Sequence, residues 1–233
     1  MIISKENFLN GEVILIDKPL NWTSFQVVNK IRWMIKSTYG IKKIKVGHAG
    51  TLDPLATGLL ILCTGKMTKS IEKFMGHGKE YTGTFYLGAT TPSFDLETKI
   101  DKQFSTDHIS EEMLISTLSQ FEGKIDQFPP VFSALKKDGK RLYEFAREGT
   151  EVEIKSRKVI IKNFELTSTQ IPNIDFRVCC SKGTYIRSLA NDFGKALNSG
   201  AHLTALRRTR IGDFNVTEAI SIEEFEKLLL KET

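Results

Sequence analysis

Cysteine is scarce in this chain: Cys63, Cys179 and Cys180 are the only three in 233 residues. No Cys-x-x-Cys pair occurs and the four histidines are scattered, so no zinc-ligand spacing is present and no metal is expected. An odd cysteine count without a disulfide framework points to reduced thiols and a cytoplasmic protein. No apolar run approaches membrane-spanning length, which argues against a membrane partner. The N-terminus lacks a charged region followed by an apolar stretch, so no signal peptide is expected. Internal repeats, low-complexity tracts and linkers are also missing, and the length suits one domain over residues 1–233. Tryptophan occurs twice, and Trp22 and Trp33 are read as core or staple residues rather than base-stacking platforms.

With 40% apolar and 26% charged residues, the composition is that of a soluble globular protein. A net charge of +5 fits an anionic partner only weakly. The distribution is more informative. Basic residues cluster at positions 42–45, 136–141, 155–162 and 207–210, each beside a glycine-rich or aromatic segment. Together they suggest a nucleic-acid footprint, although each alone reads as a solvated face.

Hydrophobic periodicity predicts a first strand over 11–18. A helix follows from Thr23 or Ser24 to about Thr38, stopped by Gly40. Residues 68–75 read as a short amphipathic helix, and 79–89 alternate as a half-buried strand that begins near Tyr81. Ser110 caps a helix with Leu114, Leu118 and Phe121 on one face. The Pro129–Pro130 pair excludes helix around it. Residues 137–139 turn, and 141–147 form a short basic helix. Strands are expected over 151–167, 174–180 and 202–209, and a helix opens near Tyr185. Ser221 and Glu224 make a capping box for a last helix. Helices and strands are mixed rather than alternating, so the fold class is α+β with a mixed, mostly antiparallel sheet.

The most informative stretch is Gly47-His48-Ala49-Gly50-Thr51-Leu52-Asp53-Pro54-Leu55-Ala56-Thr57-Gly58. It holds one carboxylate, Asp53, which the following Pro54 keeps out of helical geometry. The glycines permit sharp turns and close approach of a large ligand. A basic segment precedes the stretch, and the apolar run 59–63, which reads as a buried strand, follows it. A carboxylate held on a stiff loop beside cations suits a nucleophile facing a polyanion. The same features would also make a solvated turn.

The ungapped pattern Gly-His-x-Gly-x-Leu-Asp-Pro-x-Ala-Thr-Gly-x-Leu resembles the catalytic motif of TruB-type tRNA pseudouridine synthases. Other segments agree in order: Asp17-Lys18-Pro19, Tyr81-x5-Leu87-Gly88-x2-Thr91-x3-Asp95, the Pro-Pro-x-x-Ser-Ala-x-Lys segment after residue 128, Lys182-Gly183-Thr184-Tyr185-Ile186-Arg187 and Leu206-Arg207-Arg208-Thr209. One departs. Relatives read Thr-Asp-Thr-x-Asp where this chain has Thr91-Pro92-Ser93-Phe94-Asp95, so one carboxylate is lost. The resemblance spans roughly residues 11–225. It implies a pseudouridine synthase fold with an inserted thumb at about 126–155, and a monomer is expected; the C-terminal PUA domain that many bacterial relatives carry is not expected in this chain.

The resemblance also implies the chemistry, an isomerisation without net redox change that needs no cofactor. The substrate is uridine 55 in the T loop of tRNA, flipped out of its stack before reaction. Asp53 is the nucleophile or base that triggers cleavage at the ribose–base unit, and as an ordinary aspartate it needs no activating base. Arg187 is its cationic partner. Tyr81 stacks on the base and is a candidate acceptor for the sugar proton. Tyr185 and Leu206 line the pocket, His48 helps to extrude the nucleotide, and Lys136 and Arg141 in the thumb bind RNA. Lys18, Gly47, Gly50 and Pro54 shape the surroundings. Two competing readings are a glycosidase, which normally needs a second carboxylate, and a non-catalytic tRNA-binding or tRNA-folding protein on the same scaffold.

Overall fold

The computed structural model describes residues 4–137, 139–150 and 152–231. Asp138 and Glu151, both inside the expected thumb, lie outside the described residues. The chain divides into two compact units, residues 1–81 with 207–233, and residues 82–206. The elements of the first unit begin with α1 (Lys5–Asn10), β1 (Val13–Lys18), α2 (Ser24–Tyr39), β2 (Val46–His48) and β3 (Ala56–Thr64). A 3-10 turn (Gly65–Ser70), α3 (Ile71–Gly76) and β4 (Lys79–Leu87) follow, and the first unit's share of β4 ends at residue 81. The second unit then has β5 (Ala89–Thr90), β6 (Lys102–Gln103), α4 (Glu111–Leu118), β7 (Gly123–Gln127), β8 (Lys136–Lys137) and β9 (Lys140–Arg141). It continues with α5 (Leu142–Arg147), β10 (Arg157–Gln170), β11 (Asn173–Cys180) and α6 (Ile186–Ala196). Strand β12 (Ala201–Ile211) returns the chain to the first unit, which ends with β13 (Phe214–Asn215), a 3-10 turn (Val216–Glu218) and α7 (Ile222–Lys231).

Within the first unit the strand order is β1-β3-β12, with β2 on β3 and β13 on β12. The β1–β3, β2–β3 and β12–β13 ladders are antiparallel, and a parallel bridge joins Ile16 to Ile220. The register explains why residues 59–63 form a continuous apolar run. Leu60 and Leu62 face a core made by Ile14 and Ile16 of β1, by α2 (Val27, Val28, Ile31, Ile35) and by α7 (Phe225, Leu229). Leu59, Ile61 and Cys63 face the opposite core, with Ile211. A strand covered on both sides must be apolar at every position.

Helix α2 starts and stops where local chemistry dictates. Thr23 accepts from the Gln26 amide and Gln26 returns a bond to the Thr23 amide, while Gly40 ends the helix in left-handed geometry. Trp33 departs from expectation. It is 59% exposed, on the solvent side of α2, with the Lys30 ammonium 4.9 Å from its ring centre. Trp22 does pack against the core.

In the second unit the strand order is β12-β4-β11-β10-β7, and the β10–β11 and β10–β7 ladders are antiparallel. The whole is α+β with a mixed, mostly antiparallel sheet, as expected. Aromatic side chains dominate this core: Phe85 stacks on Phe176 with centroids 4.1 Å apart, Phe164 closes on both, and Phe193 closes on Phe85 and Phe164. Between β7 and β10 the chain forms the β8–β9 hairpin and the short helix α5, with no helix around the proline pair. Helix α5 is tied back to this segment by bonds from the Leu142 and Tyr143 amides to the Leu135 and Ser133 carbonyls.

Phe85 is fully buried at the centre of the ring cluster. Its replacement by alanine should cost about 3–5 kcal/mol, the range for a large aromatic removed from a packed core. Urea unfolding of Phe85→Ala measures this directly. A loss below about 1 kcal/mol would show that the cluster is not what holds the second unit together.

Candidate active site

In the first unit, the loop that joins β2 to β3 carries Asp53. A loop of this kind leaves backbone carbonyls that need donors. Here two buried cations supply two of them, at Gly50 and Pro54. Arg208, 1% exposed, donates from Nε to the Leu59 carbonyl in β3 (2.8 Å) and from Nη2 to the Gly50 carbonyl in the loop (3.1 Å), tying the loop to the strand. Lys18, fully buried at the end of β1, donates from Nζ to the carbonyls of Pro19 (2.9 Å), Trp22 (2.6 Å) and Pro54 (3.4 Å). The Asn21 amide also reaches the Pro54 carbonyl at 2.9 Å. Ser24, at the start of α2, bonds the Leu52 amide (2.8 Å) and carbonyl (3.1 Å) through one hydroxyl. Asp53 is therefore flanked on both sides by residues whose backbones are fixed. Its own carbonyl accepts from the Ala56 amide, which makes a turn around Pro54.

Gly58 is required by this packing. Its φ is +99°, and a Cβ there would sit 2.3 Å from the Arg208 carbonyl oxygen. Gly47 packs closely as well: a Cβ would meet Ile71 Cδ1 at 2.8 Å.

The loop lies in a positive field. Burial pushes the Lys18 ammonium down to about 8 from its ordinary 10.5; the Asp53 carboxylate opposes that shift and Arg208 adds to it. His48, half-buried at the end of β2, is also held below its ordinary value. Burial is the main cause and Arg208 the second, offset in part by the backbone at Gly50. These effects favour the neutral imidazole, and the buried His48 Nδ1 has no hydrogen-bond partner among the described residues. Tyr81 is 8% exposed in β4, a buried ring rather than a rim aromatic. Its neighbour Glu80 bonds Thr209 at 2.7 Å and Arg210 at 3.2 Å.

The remaining candidates belong to the second unit. Tyr185 immediately precedes α6, and its amide and carbonyl are both held by the Gln127 side chain (2.7 and 3.0 Å). The Arg157 guanidinium lies 4.9 Å from the Tyr185 ring centre. Arg187, 3% exposed on α6, donates to the Ser93 carbonyl (3.2 Å) and has Nε 3.6 Å from Asp95 Oδ2. Asp95 is itself 4% exposed and accepts from the Glu97 amide at 2.9 Å. Leu206 is half-buried on β12. Lys136 and Arg141 are exposed and face each other across the β8–β9 hairpin.

Two residues escape sequence reasoning. By sequence, Arg208 belongs to a basic cluster that reads as a solvated face. In the structure Arg207 makes a two-toothed pair with Asp17 (2.6 and 3.0 Å), Arg210 pairs with Glu80, and Arg208 is buried. Arg208 is thus spent inside the protein, while Arg207 and Arg210 stay about half exposed in their ion pairs. Asp95 is a motif position to which the sequence gives no role, and it proves to carry the counter-charge to Arg187.

Among the described residues, no group of three or more His, Cys, Asp or Glu side chains is arranged to hold a metal ion. No described helix is long and apolar enough to cross a membrane.

Comparison with known proteins places these residues in context. The family model for TruB family pseudouridylate synthase (N terminal domain) matches residues 36–186, and that for the tRNA pseudouridylate synthase B C-terminal domain matches residues 187–233. The chain belongs to the TruB family. It is 62% identical over 228 residues to tRNA pseudouridine synthase B of Flavobacterium johnsoniae, covering 97% of this chain and 100% of that one. The identity to the same-named protein of Phocaeicola vulgatus is 59%, with 96% and 95% covered. Among solved structures, a chain of a Cbf5-Nop10-Gar1 complex superposes with a TM-score of 0.71 at 30% identity. That match covers 96% of this TruB-family chain and only 55% of the solved one. The expected pseudouridine synthase fold is therefore borne out.

The depressed Lys18 value yields a signed prediction. Between about pH 8 and pH 10.5 the unfolded chain still holds the Lys18 proton while the folded chain has released it. Stability from this group therefore rises with pH in that window, by up to about 1.4 kcal/mol per pH unit. Lys18→Met should remove that rise. Urea unfolding across the window tests it, and a variant with the wild-type pH dependence would overturn the assignment.

Proposed function

We propose that this chain isomerises a uridine of tRNA to pseudouridine, and that the target is uridine 55 in the T loop. The observation that carries the reading is the immobilised Asp53 loop, whose Pro54 and Gly50 carbonyls are held by Lys18 and Arg208. In this reaction the bond from ribose C1′ to N1 of the base breaks and a bond from C1′ to C5 forms. C5 gives up a proton, N1 ends with one, and no electrons are exchanged with a cofactor. The chemistry needs an anionic group held still against the ribose–base unit, and a rigid site supplies it without reorganisation.

Asp53 is the group that starts the cleavage. Tyr81 and Arg187 complete the catalytic set by family motif, with Tyr185 and Leu206 lining the base pocket. The downward shift of His48, with its unpartnered Nδ1, supports a hydrogen-bonding role toward the RNA rather than an ionic one. The segment at about 126–155 acts as a thumb that brings Lys136 and Arg141 to the RNA. The protein works as a cytoplasmic monomer.

Asp53→Asn tests the reading against a protein that only binds tRNA. Asparagine keeps the shape of the side chain and removes the anion, so the loss should fall in the chemical step and leave tRNA affinity largely intact. The assay is tritium release from tRNA labelled at C5 of uridine. Wild-type release by the variant would sink the assignment and favour a binding role.

Activity should also withstand chelators. The control is to keep the tRNA folded, since it needs Mg²⁺ of its own. Loss of activity on prolonged EDTA treatment of the protein, reversed by Zn²⁺, would contradict a purely carboxylate-driven reaction.

A further inference from the structure

Residues 19–24 join β1 to α2 and lie against the Asp53 loop. Lys18 Nζ bonds the Pro19 and Trp22 carbonyls, which fixes the turn of this segment. Asn21 adopts left-handed geometry, with φ of +63°, and its amide reaches the Pro54 carbonyl. Ser24 follows as the first residue of α2, directly after the capping residue Thr23. It is 2% exposed, and its hydroxyl accepts from the Leu52 amide (2.8 Å) and donates to the Leu52 carbonyl (3.1 Å). Leu52 is buried too, so bulk water has little access to these groups.

The Leu52 carbonyl belongs to the planar peptide unit that joins Leu52 to Asp53. Holding it fixes the plane on the N-terminal side of Asp53. The plane on the C-terminal side is held by the bond from the Ala56 amide to the Asp53 carbonyl, and Pro54 narrows the backbone of Asp53 further. With both planes held, φ and ψ of Asp53 are set, and the carboxylate keeps only its side-chain torsions.

We propose that Ser24 is a positioning residue for the isomerisation, an inference that rests on the synthase reading above. Its hydroxyl aims the Asp53 carboxylate by holding the peptide plane in front of it. Only a group that donates and accepts at once can bond both the amide and the carbonyl of Leu52, and a hydroxyl does so. The frame behind it is rigid, because Val27, Val28, Ile31 and Ile35 of the same helix are part of the core of the first unit. Misplacement of a reacting group by about 1 Å can cost about a hundredfold in rate, so a small tilt of this plane reaches the chemistry. Thr23 is the natural contrast. It sits one position earlier, and its described side-chain bonds go to Gln26 in the exposed capping box.

The test compares Ser24→Ala with Thr23→Ala in the full chain, with tRNA labelled at C5 of uridine. Both variants should unfold at lower urea, Thr23→Ala through its lost helix cap and Ser24→Ala through its lost bonds to Leu52. They should part in the reaction. At a temperature where both are folded, kcat should fall by about ten- to hundredfold in Ser24→Ala, with KM and tRNA affinity changed by less than about twofold. Thr23→Ala should keep the wild-type kcat. Ser24→Thr, which restores a hydroxyl, should regain most of it. Equal kcat in the two alanine variants would show that the hydroxyl serves the fold alone, and the proposal fails. A loss confined to KM would place Ser24 in RNA binding and also overturn it. If Ser24→Ala does not fold, Ser24→Cys takes its place. The thiol is close in shape and a weak hydrogen-bonding group, so kcat should again fall, and a wild-type kcat there overturns the proposal. A wild-type protein that releases no tritium fails the synthase reading itself. Wild-type release with an unchanged kcat in Ser24→Ala fails the positioning role alone.

Discussion

The first unit depends on a single physical constraint: two cations are buried and must spend their N–H groups on backbone carbonyls. Burying an uncompensated charge is expensive, and the cost falls only when hydrogen bonds and opposite charge surround it. Arg208 meets this by holding Gly50 and Leu59, and Lys18 by holding Pro19, Trp22 and Pro54. The loop's own need for donors is met by the same bonds, so each side of the arrangement stabilises the other. Gly58 follows from it, because the Arg208 backbone occupies the space that a side chain would take. The carboxylate of Asp53 follows too, as the anionic neighbour that offsets part of the cost of keeping Lys18 charged.

The features most legible in the sequence are those governed by neighbours a few residues away. The start of α2 at Thr23, of α4 at Ser110 and of α7 at Ser221 can each be read from a capping side chain and its local partner. Strand β3 is readable because an apolar run bounded by glycines has few other uses. Helix α1 and strand β7 are not legible. The first is a single short turn whose one buried residue is Phe8. The second, Gly-Lys-Ile-Asp-Gln, has no apolar alternation and owes its strand geometry to pairing with β10. Trp33 shows the same limit from the other side. Helical spacing alone allows it to face inward, and the register of α2 turns it to solvent.

Charge is the hardest property to read. A run of lysines and arginines looks alike whether it is solvated, paired or buried, because the partner that decides its fate is distant in sequence. Arg207 and Asp17 are separated by 190 positions, and Arg208 and Leu59 by 149. Thus Asp53 and its glycines are legible from one contiguous motif, whereas Arg208, which holds that motif in place, is not.

The altered second motif follows the same logic. A guanidinium as buried as that of Arg187 needs a counter-charge and acceptors for its N–H groups. The carboxylate lost at Pro92 is not the one that meets this need, because Asp95 carries the charge and the Ser93 carbonyl accepts a bond. Ser93 retains a hydroxyl, which bonds the Asp95 carbonyl at 3.2 Å and Thr98 at 2.8 Å. Thr91 bonds that same carbonyl at 2.7 Å, so the backbone around Asp95 is fixed from two directions. Proline at 92 gives up one backbone donor and restricts its own φ, which a turn tolerates. The departure from the family pattern therefore removes a carboxylate while preserving the parts of the motif that hold Arg187 in its buried position.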